Sequence, residues 1–246
     1  MASDDTAARG RGRPPKVLLD APIIVDAALA LCDEHGAEAL TVRKLAARLG
    51  VDPSALYRHV ADKDELHLLL ADRLFAEVLE SFEPTPGDWR ATLRDLAVGS
   101  RDTALRHPAA AVVATYRTTR RPAEMRIVEH ILTAFAEAGC DPEQSALLHR
   151  VYGDFTLAWS GMDAAFATLD PAAQAGDEAA WTRDYVAVDP SSHPAIARTS
   201  AHMATMTGER VFRAALEVLL DGLEARTGRT GRTGQGGPAG RSGRPG

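Results

Sequence analysis

Residues 53–63 hold the group of side chains best suited to chemistry on this chain. Ser54, Tyr57, Arg58 and His59 bring a hydroxyl, a phenol, a guanidinium and an imidazole into two helical turns. Groups of these types read base edges and grip phosphates. On a helix, Ser54 and Arg58 fall roughly 160–200° from Leu56, pointing away from a core that Leu56 and Val60 anchor. Ala55 and Tyr57 lie on the flanks. Residues 41–60 contain four basic residues, Arg43, Lys44, Arg48 and Arg58, against one acid, Asp52. The plain alternative is a helical hairpin of an ordinary all-α domain with solvated charges.

The elements that must position these groups are legible on either side. Val42, Leu45, Ala46 and Leu49 repeat at helical spacing and end at Gly50, a residue that tolerates the left-handed stop of a helix. Asp52 is a favoured N-cap and Pro53 a favoured first helical residue. Two short helices joined by a Gly-containing turn of this length are the signature of a DNA-binding helix-turn-helix. Upstream, Ile23, Ala27 and Leu31 form a stripe on a helix from about Pro22 to Glu34, stopped at His35-Gly36. Downstream, Asp62 and Glu65 make a capping-box-like start for a helix to about Phe82. Its N-terminus can hold a phosphate beside Lys63.

From Ile23 to Leu70 the sequence resembles the DNA-binding domain of the TetR family of one-component transcriptional regulators. The resemblance rests on IIVDAALALCDEHGAEALT, on TVRKLAARLGV, on the recognition segment ending LYRHV, and on D-K-x-E-L at Asp62–Leu66. It implies that Val42, Arg43 and Lys44 open the second helix at the DNA. It further implies that Pro53, Ser54, Ala55, Tyr57 and His59 line the recognition helix, and that Lys63 binds phosphate. Arg58 occupies a variable family position, so its base-reading role rests on helix geometry alone. The family's second domain holds an inducer pocket, and two of its later helices pack against the partner's copies as a four-helix bundle. Here those would be 142–168 and 208–225, the latter with Val211, Ala215, Val218, Leu219 and Leu223 on a stripe.

Composition narrows the function classes. The formal net charge is −6. Residues 1–16 carry +2 and residues 226–246 carry +5, which leaves −13 on the body between them. An acidic body is a poor general polyanion binder, so DNA contact belongs to the helix-turn-helix face and the tails. No apolar run is long enough to span a membrane, and the first residues lack the apolar region of a secretory signal. Cys32 and Cys140 offer neither a disulfide framework nor a metal cluster, so a cytoplasmic setting is expected. There is no P-loop, G-x-S-x-G, H-E-x-x-H, paired CxxC or GxGxxG motif, which disfavours an enzyme, and no cofactor or metal is expected.

Along the chain, residues 1–20 read as a disordered basic arm. Arg9, Arg11 and Arg13, spaced by glycines, match either an A·T minor-groove peptide or a solvated low-complexity tail. A head spans 21–82, Pro84–Gly87 breaks the chain, and a helical domain spans 88–225, with helices near 88–106, 109–117, 122–138, 142–168, 194–205 and 208–225. Residues 170–193 are a mobile loop with one helical turn near Trp181, or a lid. Residues 226–246 form a disordered Gly/Arg-rich tail. On 142–168, Tyr152, Phe155, Trp159, Met162 and Phe166 make an aromatic and Met stripe, which fits core, dimer interface or an apolar pocket. The pocket is expected to be bordered by Leu96, Ser100, His107, Tyr116, Phe155, Trp159 and Met162.

In the family's tetracycline-binding branch a pocket His and a partner acid hold a magnesium–drug chelate. The corresponding segment here, AAAVVATYRTTRRP at 109–122, has no His, and the acid position falls near Met162. Tetracycline recognition is therefore not expected. The sequence thus implies an all-α homodimer with a three-helix helix-turn-helix head and a ligand-binding, dimerising second domain. Its implied function is that of a repressor released from a palindromic operator by a small hydrophobic inducer. The competing class is a constitutive or architectural DNA binder without an inducer.

Overall fold

The computed structural model of the chain describes residues 19–114 and 117–233, with side chains of the last helix described to Thr227. The arm residues Arg9, Arg11 and Arg13, the pocket candidate Tyr116 and the tail beyond Thr233 lie outside the described residues. Eleven α-helices, and no strand, occur among the described residues. The head is α1 (Ala21–His35), α2 (Val42–Leu49), α3 (Pro53–Leu56) and α4 (Lys63–Glu80). There follow α5 (Trp89–Arg106), α6 (Pro108–Ala114), α7 (Pro122–Glu137), α8 (Pro142–Ala167), α9 (Pro171–Ala179), α10 (Pro194–Met203) and α11 (Gly208–Thr233).

Local chemistry sets the helix starts. Asp20, Asp52, Asp62, Asp88, Asp141 and Asp170 each accept a backbone N–H of the first turn that follows. Such a cap contributes about 1 kcal/mol. Pro22, Pro53, Pro142 and Pro171 follow their caps, where a missing N–H leaves no bond unmade. Gly50 takes the left-handed conformation at φ 67°, and its N–H reaches the carbonyls of Ala46 and Ala47. That stop turns the chain sharply enough for α3 to leave across α2.

The apolar cores do not divide at the Pro84–Gly87 break. The head core joins Ile24, Ala28, Leu45, Leu56, Leu66 and Leu70 to Ala110, Ala111 and Ala114 of α6 and to Ala164 of α8. The head therefore packs against the second domain through small side chains, which permit close approach of helices. The second core begins at Val78 and gathers Leu93, Leu96, Ile131, Phe135, Leu148, Tyr152, Phe212, Leu216 and Leu220. Its central helix, α8, packs on α5, α6 and α7, and the Tyr152 hydroxyl donates to the carbonyl of Leu93 at 2.6 Å.

α11 is docked by both apolar burial and charge. Phe212, Leu216, Leu220 and Leu223 are buried within the protomer, each contributing about 1.5–3 kcal/mol. Arg90 pairs with Glu217, Asp221 and Glu224, and Arg94 pairs with Glu217 at 2.6 Å. This corrects the stripe expected to face a partner: Leu223 points into its own core, while Val211 and Val218 are exposed. α11 also runs past Ala225 to Thr233, where the sequence reading begins a disordered tail. Extending a docked helix gains one hydrogen bond per residue without a new nucleus, so Gly-rich sequence can follow it. The 170–193 stretch, expected as a loop with one helical turn near Trp181 or a lid, holds α9 and a π-helical turn, Ala180–Asp184, that stacks Trp181 on Tyr185 with centroids 4.7 Å apart.

Candidate DNA interface and ligand cavity

The recognition segment is short. α3 ends at Leu56, and Tyr57–His59 continue as a turn, closed by the N–H of Val60 bonding to the carbonyl of Leu56. Leu56 and Val60 are buried, as their spacing demands, while Pro53, Ser54, Tyr57, Arg58 and His59 are exposed and Ala55 is half-buried on the flank. Tyr57 keeps 56% of its surface in solvent, a high value for an aromatic. Arg43 and Lys44 project from the first turn of α2, which Thr41 caps by accepting the N–H of Lys44, and Val42 is half-buried beside them. Lys63 opens α4, whose start is fixed twice: Asp62 accepts the N–H of Glu65, and Glu65 reaches back to the N–H of Ala61.

The basic residues here divide by partner. Arg48 is held by Glu34 through two hydrogen bonds of 2.7 Å, joining α2 to α1. Arg43, Lys44, Arg58 and Lys63 make no ion pair or side-chain hydrogen bond among the described residues. One surface thus carries four unneutralised cations, exposed hydroxyl, phenol and imidazole groups, and helix N-termini. Such a surface can meet phosphates and base edges together.

A cavity of about 730 Å³ lies in the second domain, within the range of small-molecule sites. Its walls are Leu96 and Ser100 of α5, Val112 of α6, Ile127, Val128 and Ile131 of α7, Leu157 of α8, and Phe75 reaching in from α4. The polar groups include His149, Arg150, Asp154 and Thr156 of α8, Arg117, Thr118 and Arg120 of the α6–α7 loop, and Glu124 in the first turn of α7. Burial, with Arg150 nearby, pushes His149 below its usual range, which disfavours its charged form.

Of the residues expected to border the pocket, Leu96 and Ser100 do so. Phe155 and Trp159 do not. They pack against the second core, Trp159 with its ring centroid 5.9 Å from that of Phe212, and Met162 is exposed. The reason is angular. The cavity face of α8 carries His149, Gly153, Thr156, Leu157, Gly161 and Ala165, roughly opposite to 155, 159, 162 and 166 at 100° per residue. The space exists because α8 presents small residues there, and glycine and alanine at this spacing were the missed signal. His107 is also elsewhere: Nδ1 lies 2.8 Å from Asp33 and Nε2 3.1 Å from Glu77, so it ties the end of α5 to α1 and α4.

The loop between α6 and α7 borders the cavity on one side and grips α4 on the other. Arg117 forms a two-pronged pair with Asp64, and Arg121 reaches Glu65 at 3.2 Å. Asp72 of α4 accepts the N–H groups of Ala123 and Glu124, capping α7. Asp64 and Glu65 directly follow Lys63 of the cationic head surface.

Comparison with known proteins agrees with this division. Residues 24–70 match the family model of bacterial regulatory proteins, tetR family, and residues 83–227 match the tetracyclin repressor-like C-terminal domain. The chain is 36% identical over 141 residues to the HTH-type transcriptional repressor DrrR1 of Streptomyces coeruleorubidus, covering 56% of this chain and 52% of that protein. It thus spans about half the length of that relative. It is 31% identical over 206 residues to the class D tetracycline repressor protein of Escherichia coli, covering 82% and 88%. Apo ActR of Streptomyces coelicolor superposes with a TM-score of 0.76 at 26% identity, over 87% of this chain and 99% of that one. ActR in complex with actinorhodin gives 0.74 at 26%, over 85% and 99%. With one model covering the DNA-facing head and another, over more than half the chain, covering the cavity domain, the chain belongs to the TetR family of bacterial regulatory proteins.

Proposed function

We propose that this chain is a homodimeric transcriptional repressor that leaves a palindromic operator when a mostly apolar small molecule enters the cavity. The observation that carries the reading is the α6–α7 loop. It borders the cavity with Arg117 and Arg120 and grips the first turn of α4 through Asp64 and Glu65, next to Lys63. A ligand that displaces this loop pulls on the helix that carries a phosphate contact. Only a ligand with different affinities for the two arrangements shifts the balance between them. The complex of ActR with actinorhodin supports a ligand for a relative of this fold. The absence of His from 109–122 argues against a metal–tetracycline chelate.

The dimer rests on exposed apolar residues of α8 and α11. Leu147, Val151, Met162 and Phe166 stand out from α8, and Val211 and Val218 from α11. A partner copy covering them builds the four-helix bundle of the family and sets two recognition segments about 34–36 Å apart, one helical turn of DNA. DNA binding is carried by Val42, Arg43, Lys44, Pro53, Ser54, Ala55, Tyr57, Arg58, His59 and Lys63.

Gly153→Leu tests the reading. A Cβ at Gly153 meets nothing within 4 Å, and the residue borders the cavity. The variant should therefore project a bulky side chain into the cavity, and should melt no earlier, since leucine is the better helix former by somewhat less than the roughly 0.8–1 kcal/mol that separates glycine from alanine. On an operator selected from random DNA it should bind like the parent. It should no longer respond to a compound that stabilises and releases the parent protein in a melting screen of hydrophobic metabolites and antibiotics. A variant still released by that compound overturns the cavity assignment.

A further inference from the structure

The cavity is apolar in its walls but not neutral at its rim. Arg117 is held by Asp64, and Arg150 by Asp154 at 2.8 Å. Glu124 is engaged as an acceptor, taking the Thr119 hydroxyl at 3.0 Å and the backbone N–H of Arg120. The charged form of His149 is disfavoured by burial. Arg120 is the one arginine of this rim whose side chain has no ion pair or hydrogen bond among the described residues.

Arg120 is unusual in its backbone as well. Its φ of 59° is the only positive value outside glycine among the described residues. An arginine in the left-handed region is strained and persists only where its surroundings over-determine it. Here they do. The N–H of Arg120 is tied to Glu124, that of Arg121 to the Thr119 hydroxyl, and the next helix to Asp72. Glycine would satisfy this turn at lower cost, yet the position carries a guanidinium at the edge of an apolar cavity.

We infer that the cavity takes apolar ligands that carry an anionic group, a carboxylate, sulfonate or phenolate, and that Arg120 is the residue that pairs with it. The inference rests on the cavity being the ligand site and names the ligand's chemistry. The apolar body enters between Leu96, Ile127, Val128 and Leu157, and the anion stays at the rim, where desolvation is least costly. A guanidinium suits this role because its planar fork can hold an oxyanion through two parallel hydrogen bonds.

Two dyes with the same ring system provide the measurement. Anilinonaphthalene sulfonate carries an anion, and N-phenylnaphthylamine does not. Both are titrated by fluorescence into the full chain, into Gly153→Leu and into Arg120→Gly. Arg120→Gly relieves the backbone strain, so it should melt no earlier than the parent. It should bind the sulfonate about 5–10-fold more weakly, as expected for loss of a charge-assisted hydrogen bond at a solvent-facing rim. Its affinity for the neutral dye should stay within about twofold. Arg120→Lys should recover part of the preference. If both dyes are lost on Gly153→Leu but Arg120→Gly treats them alike, the anion assignment is wrong and the cavity reading stands. If Gly153→Leu leaves both dyes bound, the cavity is not where they sit, and both readings fall.

Discussion

The proposed DNA-facing surface and the cavity differ in how far apart along the chain their walls lie. The first is assembled from two adjacent stretches, Val42–Lys44 and Pro53–Lys63, and what each residue does follows from caps and helical phase within that span. The second draws on α4, α5, α6, α7 and α8, and its emptiness depends on which face of α8 turns inward. The two surfaces also use charge differently. Among the described residues Arg43, Lys44, Arg58 and Lys63 are left unpaired on the head, whereas the cavity rim pairs Arg117 and Arg150 and leaves Arg120 as the exception. A surface that must meet a polyanion keeps its cations free, and one that must admit an apolar body hides most of them in pairs.

The largest expected effect separates the two faces of α8. Trp159→Ala removes an aromatic packed between Phe155 and Phe212. It should cost about 3 kcal/mol, the lower end for a core tryptophan because the ring is only partly buried. Release of the operator by the screened compound, measured well below the melting point, should be unchanged. This is the reverse of the outcome for Gly153→Leu on the opposite face. A Trp159→Ala protein that melts normally and fails to respond would move the ligand to the aromatic stripe and undo the contrast.

A smaller effect separates free from paired cations in the head. Arg58→Ala should weaken specific operator binding by about 1–3 kcal/mol and relax preference at one half-site position, with no change in melting. Lys63→Ala should weaken all sequences alike and lessen the salt dependence of binding. Arg48→Ala should do the opposite of Arg58→Ala: it breaks the pair with Glu34, so it should lower the melting point while leaving sequence preference intact. Anisotropy titrations on the selected operator and a single-base variant, beside melting curves, compare all three. Equal behaviour of Arg48→Ala and Arg58→Ala would show that pairing does not sort these residues.

The smallest concerns charge as structural glue. The Glu217 carboxyl is lowered to about 2 by Arg94 and Arg90. A folded value below the unfolded one of about 4.3 means its stabilisation is complete above that pH and is lost as pH falls through the folded value. Glu217 is partly exposed and screened, so Glu217→Gln should lower the melting temperature by at most about 3 °C at neutral pH. The difference from the parent should shrink steadily as pH falls below about 4. A gap that stayed constant with pH would assign the loss to packing instead of charge.

Sequence alone was enough for the helices of the head, the turn between α2 and α3, and the outward placement of Ser54, Tyr57 and Arg58. Each of these is decided by groups a few residues apart: an Asp carboxylate over the next turn, a glycine at positive φ, a phase of 100° per residue. It also located α5, α6, α7, α8 and α10 to within a few residues, where proline and Asp caps mark most of the starts, but it read α9 as part of a loop and ended α11 eight residues early. Which face of α8 borders empty space was settled only by packing in three dimensions. The large residues of the stripe fill the core and the small ones, Gly153 and Gly161, leave room, and size alone does not say which side another helix will occupy. Packing likewise sent His107 to Asp33 and Glu77 instead of the pocket, and joined Arg117 to Asp64 across more than fifty residues of chain. Such pairings depend on where separate helices come to rest, which no local spacing encodes.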